Sequence, residues 1–342
     1  MSQGAQGREV VSQPTILDVA KLAGVSKSTV SRVLDGRRNS GSPHAQRVRQ
    51  AASELGYQRN IFASGMRRGE TNTIGLIVPR LTDTTMAVLY EEISKACQAE
   101  HKLAIVATSE NSIQAVEQAV DTLLERRVDG LILTTDQAED PTVAKLRKLG
   151  VPHVCALRTE GLSDAALGDD VQGAYLATSH LLELGHRRIA LINGPGFASS
   201  ARGRRAGYCQ AHEEAGIEVD ASLMRETDFT TASAEHQMGN LLEGQASFSA
   251  CFAATDNLAV GAISALRGAG RSVPQDVSVV GYNDIPLARY LSAPLSTVRI
   301  PFDEIARNCL ELLREQVAGA GDTHTRVSEP ELVVRDTTQR YR

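Results

Sequence analysis

The N-terminal part of the fold is decided by residues 15–35, which read TILDVAKLAGVSKSTVSRVLD. Thr15 followed three residues later by Asp18 is typical of a helix start, and apolar residues then recur at helical spacing. Gly24 ends this first helix, and Ser26 can cap a second helix after a tight turn. The stretch therefore predicts two short helices joined by a glycine turn.

The second helix carries an apolar stripe on one side and polar side chains on the other. Ser42, with Pro43 at the first helical position, starts a third helix that Gly56 ends. Two helices around a glycine turn, with a polar second helix, are typical of a helix-turn-helix. Polar side chains there suit the base edges and phosphates of a DNA major groove. The polar side holds Lys27, Ser28, Thr29, Ser31 and Arg32.

The charge of the chain is divided unevenly along its length. The 342 residues carry 36 Lys+Arg and 41 Asp+Glu, a net charge of -5. Residues 1–72 hold 11 of the basic and 5 of the acidic residues, which leaves 25 basic and 36 acidic residues in the remainder. A cationic N-terminal head on an acidic body favours contact between the head and the phosphates of nucleic acid. A basic face exposed only to solvent would have the same composition.

The remainder of the chain predicts a pair of α/β lobes. Apolar strand-like runs alternate with amphipathic helical stretches, a pattern typical of doubly wound parallel sheets that bind ligands at the carboxyl ends of their strands. The predicted strands are 73–78, 103–108, 130–134 and 153–157 in one lobe and 188–193, 225–229, 250–254 and 277–282 in the other. The predicted helices include 86–100, 113–127, 202–215 and 257–268.

Several separate segments resemble the lactose repressor/galactose repressor family of transcriptional regulators. The resemblance is specific, because these segments agree in order and spacing, and it extends from Thr15 to Thr337. The segments are 15–35, 54–57 (ELGY), 67–69 (RRG), 73–79 (TIGLIVP), 182–190 (LELGHRRIA), 276–286 (DVSVVGYNDIP) and 294–299 (PLSTVR).

This resemblance implies the fold class and a division of the chain. It implies an all-α helix-turn-helix head and an α/β periplasmic-binding-protein-like effector domain of two doubly wound parallel-sheet lobes. The expected divisions are a disordered tail over 1–14, the DNA-binding head over 15–59, a hinge over 60–72 and the effector-binding and dimerisation domain over 73–342. The first lobe is expected to hold 73–169 and 300–329, and the second 170–299 and 330–342.

Candidate effector contacts lie at predicted strand ends and near residues 199–204. The strand-end candidates are Asp83, Thr85, Thr134, Phe229, Thr255 and Asn283. Ser200 and Arg204 match effector contacts of the family, and an arginine can form a fork of hydrogen bonds to a polyol or carboxylate. Phe229 matches an aromatic residue that stacks on the ligand. Hydroxyls and arginines near a helix start can also serve only as caps or surface groups.

The chain departs from the family at positions that bear on the ligand. Thr85 and Met86 stand where many relatives carry two aromatic residues, which disfavours a flat base as ligand. Leu157 replaces a common Asp, and Asn283 replaces a usual Asp. The amide at position 283 tolerates an acidic ligand beside Arg204 better than a carboxylate would. This favours a sugar acid slightly and leaves a neutral sugar open.

Residues 60–68 match the family's hinge helix. There, Met66 takes the place of a leucine that wedges into the minor groove, and an apolar wedge can unstack a base step and bend the duplex. Thr15, Tyr57, Asn60 and Ala63 complete the predicted DNA contacts. The expected partners are near-palindromic double-stranded operator DNA, a small sugar or sugar acid, and a second copy of the chain. A dimer is preferred to a tetramer because no heptad helix follows residues 332–335.

Competing classes lack their signatures in this sequence. No apolar run approaches the roughly 20 residues of a membrane helix, and the polar residues 1–13 do not resemble a secretion signal. A dehydrogenase would need a complete GxGxxG fingerprint, whereas residues 194–196 read only GPG. A hydrolase would need a GxSxG elbow. An extracytoplasmic sugar-binding protein remains the nearest rival, since it would share the fold of the body.

No catalytic residue, cofactor or metal site is predicted, and the protein is expected to be cytoplasmic and associated with the nucleoid when bound to DNA. The five cysteines are far apart in the sequence and mostly neighbour apolar residues. This arrangement suits reduced thiols in a cytoplasmic core.

Overall fold

The computed structural model describes residues 14–34, 42–57, 71–110, 112–138, 140–244, 247–319 and 323–341. The chain divides into two compact units, residues 1–71 and residues 72–342. The first unit is helical in its described part, and the second contains two parallel sheets covered by helices. This architecture confirms the fold class predicted from the sequence.

The described part of the first unit consists of helices α1 (Ile16–Ala23), α2 (Lys27–Leu34) and α3 (Pro43–Glu54). The backbone N–H of Thr15 donates to the Asp18 carboxylate over 2.7 Å, which fixes the start of α1. Helix α1 ends at Gly24, whose φ of 64° suits a residue without a side chain. One apolar face of each helix is buried, so the three helices share a small core.

The first lobe of the second unit is built on a six-stranded sheet with the strand order β11-β5-β4-β3-β1-β2. Its neighbouring strands run parallel throughout. The strands are β1 (Thr73–Val78), β2 (Leu103–Thr108), β3 (Gly130–Leu133), β4 (His153–Ala156), β5 (Ala165–Gly168) and β11 (Thr325–Ser328). The helices are α4 (Thr84–Ala99), α5 (Ile113–Glu125), α6 (Thr142–Leu149) and α11 (Phe302–Val317).

The second lobe repeats this arrangement with the strand order β12-β10-β9-β8-β6-β7, but here the edge strand β12 runs antiparallel to β10. The strands are β6 (Ile189–Asn193), β7 (Met224–Glu226), β8 (Ala250–Ala253), β9 (Ser278–Asn283), β10 (Ser296–Arg299) and β12 (Glu331–Val333). The helices are α7 (Asp170–Glu183), α8 (Ser199–Glu214), α9 (Thr231–Glu243) and α10 (Asp256–Gly268).

The chain passes between the lobes at three places. It crosses from β5 to α7, returns between β10 and α11, and crosses again between β11 and β12. In the first lobe, polar segments follow the carboxyl ends of β1, β3 and β4. In the second lobe, polar segments follow the carboxyl ends of β6, β8 and β9. Ligands of doubly wound sheets bind at such strand ends.

Two predicted boundaries differ from the structure by three residues, and the other predicted boundaries differ by at most two. The strand predicted over 225–229 is β7, Met224–Glu226, because Phe229 has a positive φ of 67° that strand geometry does not allow. The helix predicted over 202–215 begins three residues earlier, at Ser199. Ser200 therefore lies in the first turn of α8 rather than in front of the helix, and Arg204 lies in the second turn.

Candidate functional site

A cavity lies between the two lobes of the second unit, at the carboxyl ends of their strands. The space open to the centres of water molecules is about 50 Å³, and one water needs roughly 10–15 Å³ of such space. The cavity in this structure therefore has room for a few waters. Its lining consists of Pro79, Arg80, Asp83, Thr85, Met86, Thr134, Leu157, Arg158, Ser200, Arg204, Asp228, Phe229, Thr255 and Asn283.

All the effector residues predicted from the sequence lie around this cavity. Asp83, Thr85 and Thr134 come from the first lobe, and the other five come from the second lobe. They are far apart in the sequence, and the strand order of the two sheets brings them together. Their role in binding stays a prediction, since the structure contains no ligand.

The first lobe contributes two oxygen-bearing side chains, Asp83 and Thr134, which are held by hydrogen bonds within that lobe. Asp83 caps α4, since the backbone N–H of Thr85 donates to its Oδ1 over 3.0 Å. Burial raises the pKa of Asp83 despite this hydrogen bond. Thr134 follows β3 and donates its hydroxyl to the Ile77 carbonyl over 3.1 Å. These side chains face the cavity from a rigid sheet edge.

The second lobe contributes a buried arginine. Arg204 lies in α8, and its Nε donates to Oδ1 of Asp170 over 2.8 Å. Its Nη1 donates to the Ala254 carbonyl, and its guanidinium carbon lies 4.0 Å from the centre of the Tyr282 ring. Thr255 caps α10 by accepting from the Leu258 N–H over 3.1 Å. The arginine is thus held in place by its own lobe.

Three cavity residues have backbone angles that side chains other than glycine rarely adopt. The φ angles are 65° at Leu157, 67° at Phe229 and 103° at Asn283. Such angles cost energy and occur in proteins mainly where the surrounding structure holds functional groups in place. The turns after β4, β7 and β9 therefore aim side chains into the cavity at the expense of local backbone stability.

Side-chain hydrogen bonds join the lobes across the cavity. Asn257 of the second lobe donates its Nδ2 to Oδ1 of Asp83 over 2.8 Å, and Asn283 donates its Nδ2 to Oγ1 of Thr85 over 2.9 Å. At the rim, the Thr159 N–H donates to Oγ of Ser199 over 3.0 Å. The lobes are therefore closed on each other in this structure.

Arg202, the other guanidinium of the 199–204 stretch, is directed away from the cavity. Its Nη2 donates to Oε1 of Glu160 over 2.8 Å, and its Nη1 donates to the Phe197 carbonyl over 2.7 Å. These contacts make Arg202 a link between the lobes at the protein surface. Of Arg202 and Arg204, only Arg204 lines the cavity.

A second candidate site is the polar side of α2 in the first unit. Lys27, Ser28 and Arg32 are exposed, whereas Thr29 and Ser31 are half-buried. Arg32 donates its Nε to the Ser28 carbonyl over 3.2 Å, which lays the guanidinium along the helix surface. Val30 and Val33 on the opposite side are buried in the head core. The helix thus presents one charged, hydroxyl-rich face.

The remaining predicted DNA contacts divide into two groups. Thr15 is exposed at the start of α1, and Tyr57 is half-buried after α3. Asn60, Ala63 and Met66 lie outside the described residues.

Sequence reasoning did not name several cavity residues. Arg80 follows β1 by two residues, Arg158 follows β4 by two residues, and Asp228 lies between β7 and α9. The rule that ligands bind at strand ends would have found these residues. Asp170 and Asn257 carried no such signal, because each acts through a side chain distant in the sequence, Arg204 or Asp83.

The arrangement suits non-covalent binding of a small polar molecule. Carboxylate, amide, hydroxyl and guanidinium groups converge on the cavity together with the apolar side chains of Phe229 and Met86. In ligand pockets, such polar groups fix the orientation of the bound molecule, and apolar side chains cover the rest of its surface. Within the described residues, no group of three or more His, Cys, Asp or Glu side chains is placed to hold a metal ion. No helix of the described residues is long and apolar enough to cross a membrane.

Comparisons with known proteins agree with both units. Residues 15–60 match the bacterial regulatory proteins of the lacI family, and residues 178–338 match the periplasmic binding protein-like domain. The ribose operon repressor of Haemophilus influenzae is 33% identical over 326 residues, covering 94% of this chain and 98% of that protein.

Solved structures extend the similarity to the fold. A complex of the transcriptional regulator CelR with cellobiose is 33% identical, with a TM-score of 0.73, and covers 95% of this chain and 99% of that one. A lac repressor dimer bound to operator and the anti-inducer ONPF is 28% identical, with a TM-score of 0.84 and the same coverage.

Proposed function

The chain belongs to the lacI family of bacterial regulatory proteins, and from that premise we propose how this DNA-binding transcriptional regulator works. It is a homodimeric repressor whose affinity for a near-palindromic operator is set by a sugar or sugar acid bound between the lobes. The observation that carries this proposal is the polar cavity at the strand ends of both lobes, in a chain that also has a helix-turn-helix head. The role is regulatory and involves no catalysis.

In this proposal, α2 is the recognition helix of each subunit. Lys27, Ser28 and Arg32 have the exposure that contact with base edges and phosphates requires. The head extends over residues 15–59 and the hinge over 60–72, where Asn60, Ala63 and Met66 contact the minor groove. Two heads in a symmetric dimer read two half-sites, so the operator is near-palindromic. The protein acts in the cytoplasm on the nucleoid.

The effector binds where the polar side chains of the two lobes converge. Relatives support a sugar, since the names of similar proteins include a ribose operon repressor and a regulator in complex with cellobiose. Asp83 and Thr85 offer oxygens, Asn283 and Arg204 offer N–H donors, and Phe229 offers a ring face. This set suits the hydroxyl groups and the apolar face of a sugar ring.

Effector binding requires the lobes to separate and close again. A hexose ring is many times larger than one water, and the cavity in this structure has room for only a few waters. The hydrogen bonds from Asn257 to Asp83 and from Asn283 to Thr85 must therefore open or rearrange. The effector then acts by binding one arrangement of the lobes more tightly than the other.

The test begins by selecting an operator with the full-length protein from a pool of random DNA duplexes. Lys27→Ala and Arg32→Ala should each weaken binding to the selected sequence, by roughly five-fold to a hundred-fold or more if each contact is worth about 1–3 kcal/mol. Binding should weaken steeply with salt, because phosphate contacts release counterions. Both variants should keep the wild-type melting temperature of the body.

The control is Lys95→Ala, which removes a charge from an exposed lysine of α4 that pairs with Glu91 and Glu92. This variant should bind the selected operator as the wild type does. Failure to enrich any sequence, or equal losses for Lys95→Ala and Arg32→Ala, would contradict the proposal.

A further inference from the structure

The cavity arginine forms an ion pair within its own lobe. The Nε of Arg204 and Oδ1 of Asp170 are 2.8 Å apart, and the two side chains are only 7% and 15% exposed. Asp170 is the first residue of α7, directly after the chain crosses from the first lobe. The carboxylate therefore neutralises the guanidinium beside the space that the effector would occupy.

Arg204 keeps its positive charge in this buried position, as arginine does in proteins generally. Burial lowers the pKa of the guanidinium, but the charges and hydrogen bonds of Asp170 and Tyr282 together outweigh burial, and the pKa of Arg204 is raised. Burial raises the pKa of Asp170, and the charge and hydrogen bond of Arg204 oppose this rise. The two side chains thus form a compensated pair in which Arg204 is not an isolated cation. An uncompensated arginine in a ligand pocket is a strong site for carboxylate or phosphate, and a compensated one is not.

The charges of the cavity lining are balanced once Asp170 is counted with them. The lining contains Arg80, Arg158 and Arg204 together with Asp83 and Asp228. Adding Asp170, which pairs with Arg204, gives three side chains of each sign. Removing the Asp170 charge alone would leave an excess positive charge in a buried site, where electrostatic interactions are strong.

Arg204 keeps its ability to donate hydrogen bonds to an uncharged ligand. A guanidinium has five N–H donors. Asp170 accepts from Nε and the Ala254 carbonyl accepts from Nη1, so further donors remain on the group. A sugar hydroxyl can accept from them without bringing a charge into the cavity.

We infer that Asp170 determines effector specificity by neutralising Arg204, so that the cavity selects an uncharged sugar over the corresponding sugar acid. This inference rests on the proposed function, in which the cavity binds the effector. It assigns Asp170 a positioning role, since its carboxylate acts through Arg204. The sequence alone favoured an acid slightly, on Arg204 and Asn283, because the partner of Arg204 was not visible there.

The experiment measures binding of matched neutral and acidic sugars to the full-length protein by thermal shift and calorimetry. The probes are D-glucose with D-glucuronate, D-galactose with D-galacturonate, D-ribose with D-riburonate, and cellobiose with cellobiouronate, so that each acid keeps the sugar ring of its neutral partner. For the pair that binds, the wild type should prefer the neutral sugar at least ten-fold. Asp170→Asn should reduce that ratio at least ten-fold by strengthening acid binding relative to neutral binding.

The double variant Asp170→Asn/Arg204→Gln is the matched control, because it removes both charges. Its preference for neutral over acidic probes should return towards the wild-type ratio, even if both affinities fall. A purely structural role of Asp170 would weaken both probes of a pair together and leave the ratio unchanged, which would overturn the inference.

The wild-type ratio provides a test even if Asp170→Asn does not fold. A wild type that binds an acid as tightly as its neutral partner, or more tightly, overturns the inference while leaving the proposed function intact. If no probe of either class stabilises the wild type, the proposed sugar effector fails, and the inference fails with it.

Discussion

The two lobes of the body share one strand order but hold their cavity side chains in different ways. In the second lobe, Arg204 is fixed by Asp170 and the Ala254 carbonyl, both from the same lobe. In the first lobe, Asp83 and Thr85 have partners in the opposite lobe, Asn257 and Asn283. The difference indicates that Arg204 keeps its contacts when the cleft is open, whereas the side chains of Asp83 and Thr85 complete their contacts only on closure.

This difference suggests an order of events. A group that is already positioned loses little entropy when a ligand arrives, so we expect the proposed effector to contact Arg204 first. Closure of the first lobe then contributes the remaining contacts. Removing the Arg204 guanidinium should therefore reduce both stability and binding, while variants of the cross-lobe contacts should change only the balance between open and closed forms.

The largest effect is expected for Arg204→Ala. Removing the guanidinium leaves Asp170 buried without its partner, which costs about 3–5 kcal/mol of unfolding free energy. The loss of a charge-assisted hydrogen bond should also weaken effector binding roughly ten-fold to a hundred-fold. Operator affinity without effector should persist in the folded protein. Chemical denaturation and effector titration would measure both effects.

Arg205→Ala is the control for that variant, since Arg205 is the adjacent, exposed arginine of α8. It should change neither the free energy of unfolding nor effector affinity by more than the error of measurement. A normal effector response of Arg204→Ala would place the binding site elsewhere.

The next effect is expected where α7 and α8 pack in the second lobe. A Cβ added at Gly207 would lie 2.1 Å from the Val171 carbonyl oxygen and 2.8 Å from the Tyr175 nitrogen. Since both atoms belong to the backbone, Gly207→Ala must push the helices apart, at a cost of about 1–3 kcal/mol. The melting temperature should fall by roughly 2–12 °C.

Gly239→Ala is the matched control, because Gly239 lies within α9 of the same lobe and a Cβ there would meet nothing within 4 Å. Alanine should stabilise this helix by about 0.5–1 kcal/mol. Equal melting temperatures for the two variants would contradict the close approach of α7 and α8.

The smallest effect is expected for Asn257→Ala, which removes a hydrogen bond between the lobes. With a net value of about 0.5–1.5 kcal/mol, this bond stabilises the closed form that must open to admit the effector, so its loss should raise effector affinity roughly two-fold to ten-fold. Thermal stability without effector should change little. Calorimetric titration with a binding sugar measures the shift.

Asn240→Ala is its control, since Asn240 is an exposed amide of α9 whose side chain contacts His236 within the second lobe. It should bind effector like the wild type. If Asn257→Ala and Asn240→Ala proved equal in effector affinity, the cross-lobe contact would not contribute to closure.

The sequence predicted regular elements well wherever their residues carried a local pattern. The strands β1, β3 and β8 are buried along their whole length, and their apolar runs predicted them to within one residue. Strand β7 was predicted too long because nothing in the sequence marks the positive φ of Phe229. The edge strands β11 and β12 were not named, since their alternating exposure resembles that of a loop.

Many of the residues that line the cavity could be predicted from the sequence, but the hydrogen bonds between their side chains could not. Strand ends can be found from the sequence, so residues such as Asp83 and Thr255 were named in advance. The pairing of Arg204 with Asp170 joins positions 34 residues apart and depends on how α7 packs on α8. Such pairings follow from tertiary packing, which local patterns do not encode.

The late position of β10, β11 and β12 in the chain has a consequence for biosynthesis. The core of the head is complete once residue 57 has been translated, whereas both sheets of the body wait for strands near residues 296–333. At roughly 5–20 residues per second, the ribosome needs about 15–55 seconds to cover that distance. A nascent chain therefore contains all residues of the head core while both sheets still lack their last strands. Translation of an mRNA truncated before the codon for residue 325 would produce a head followed by two incomplete sheets.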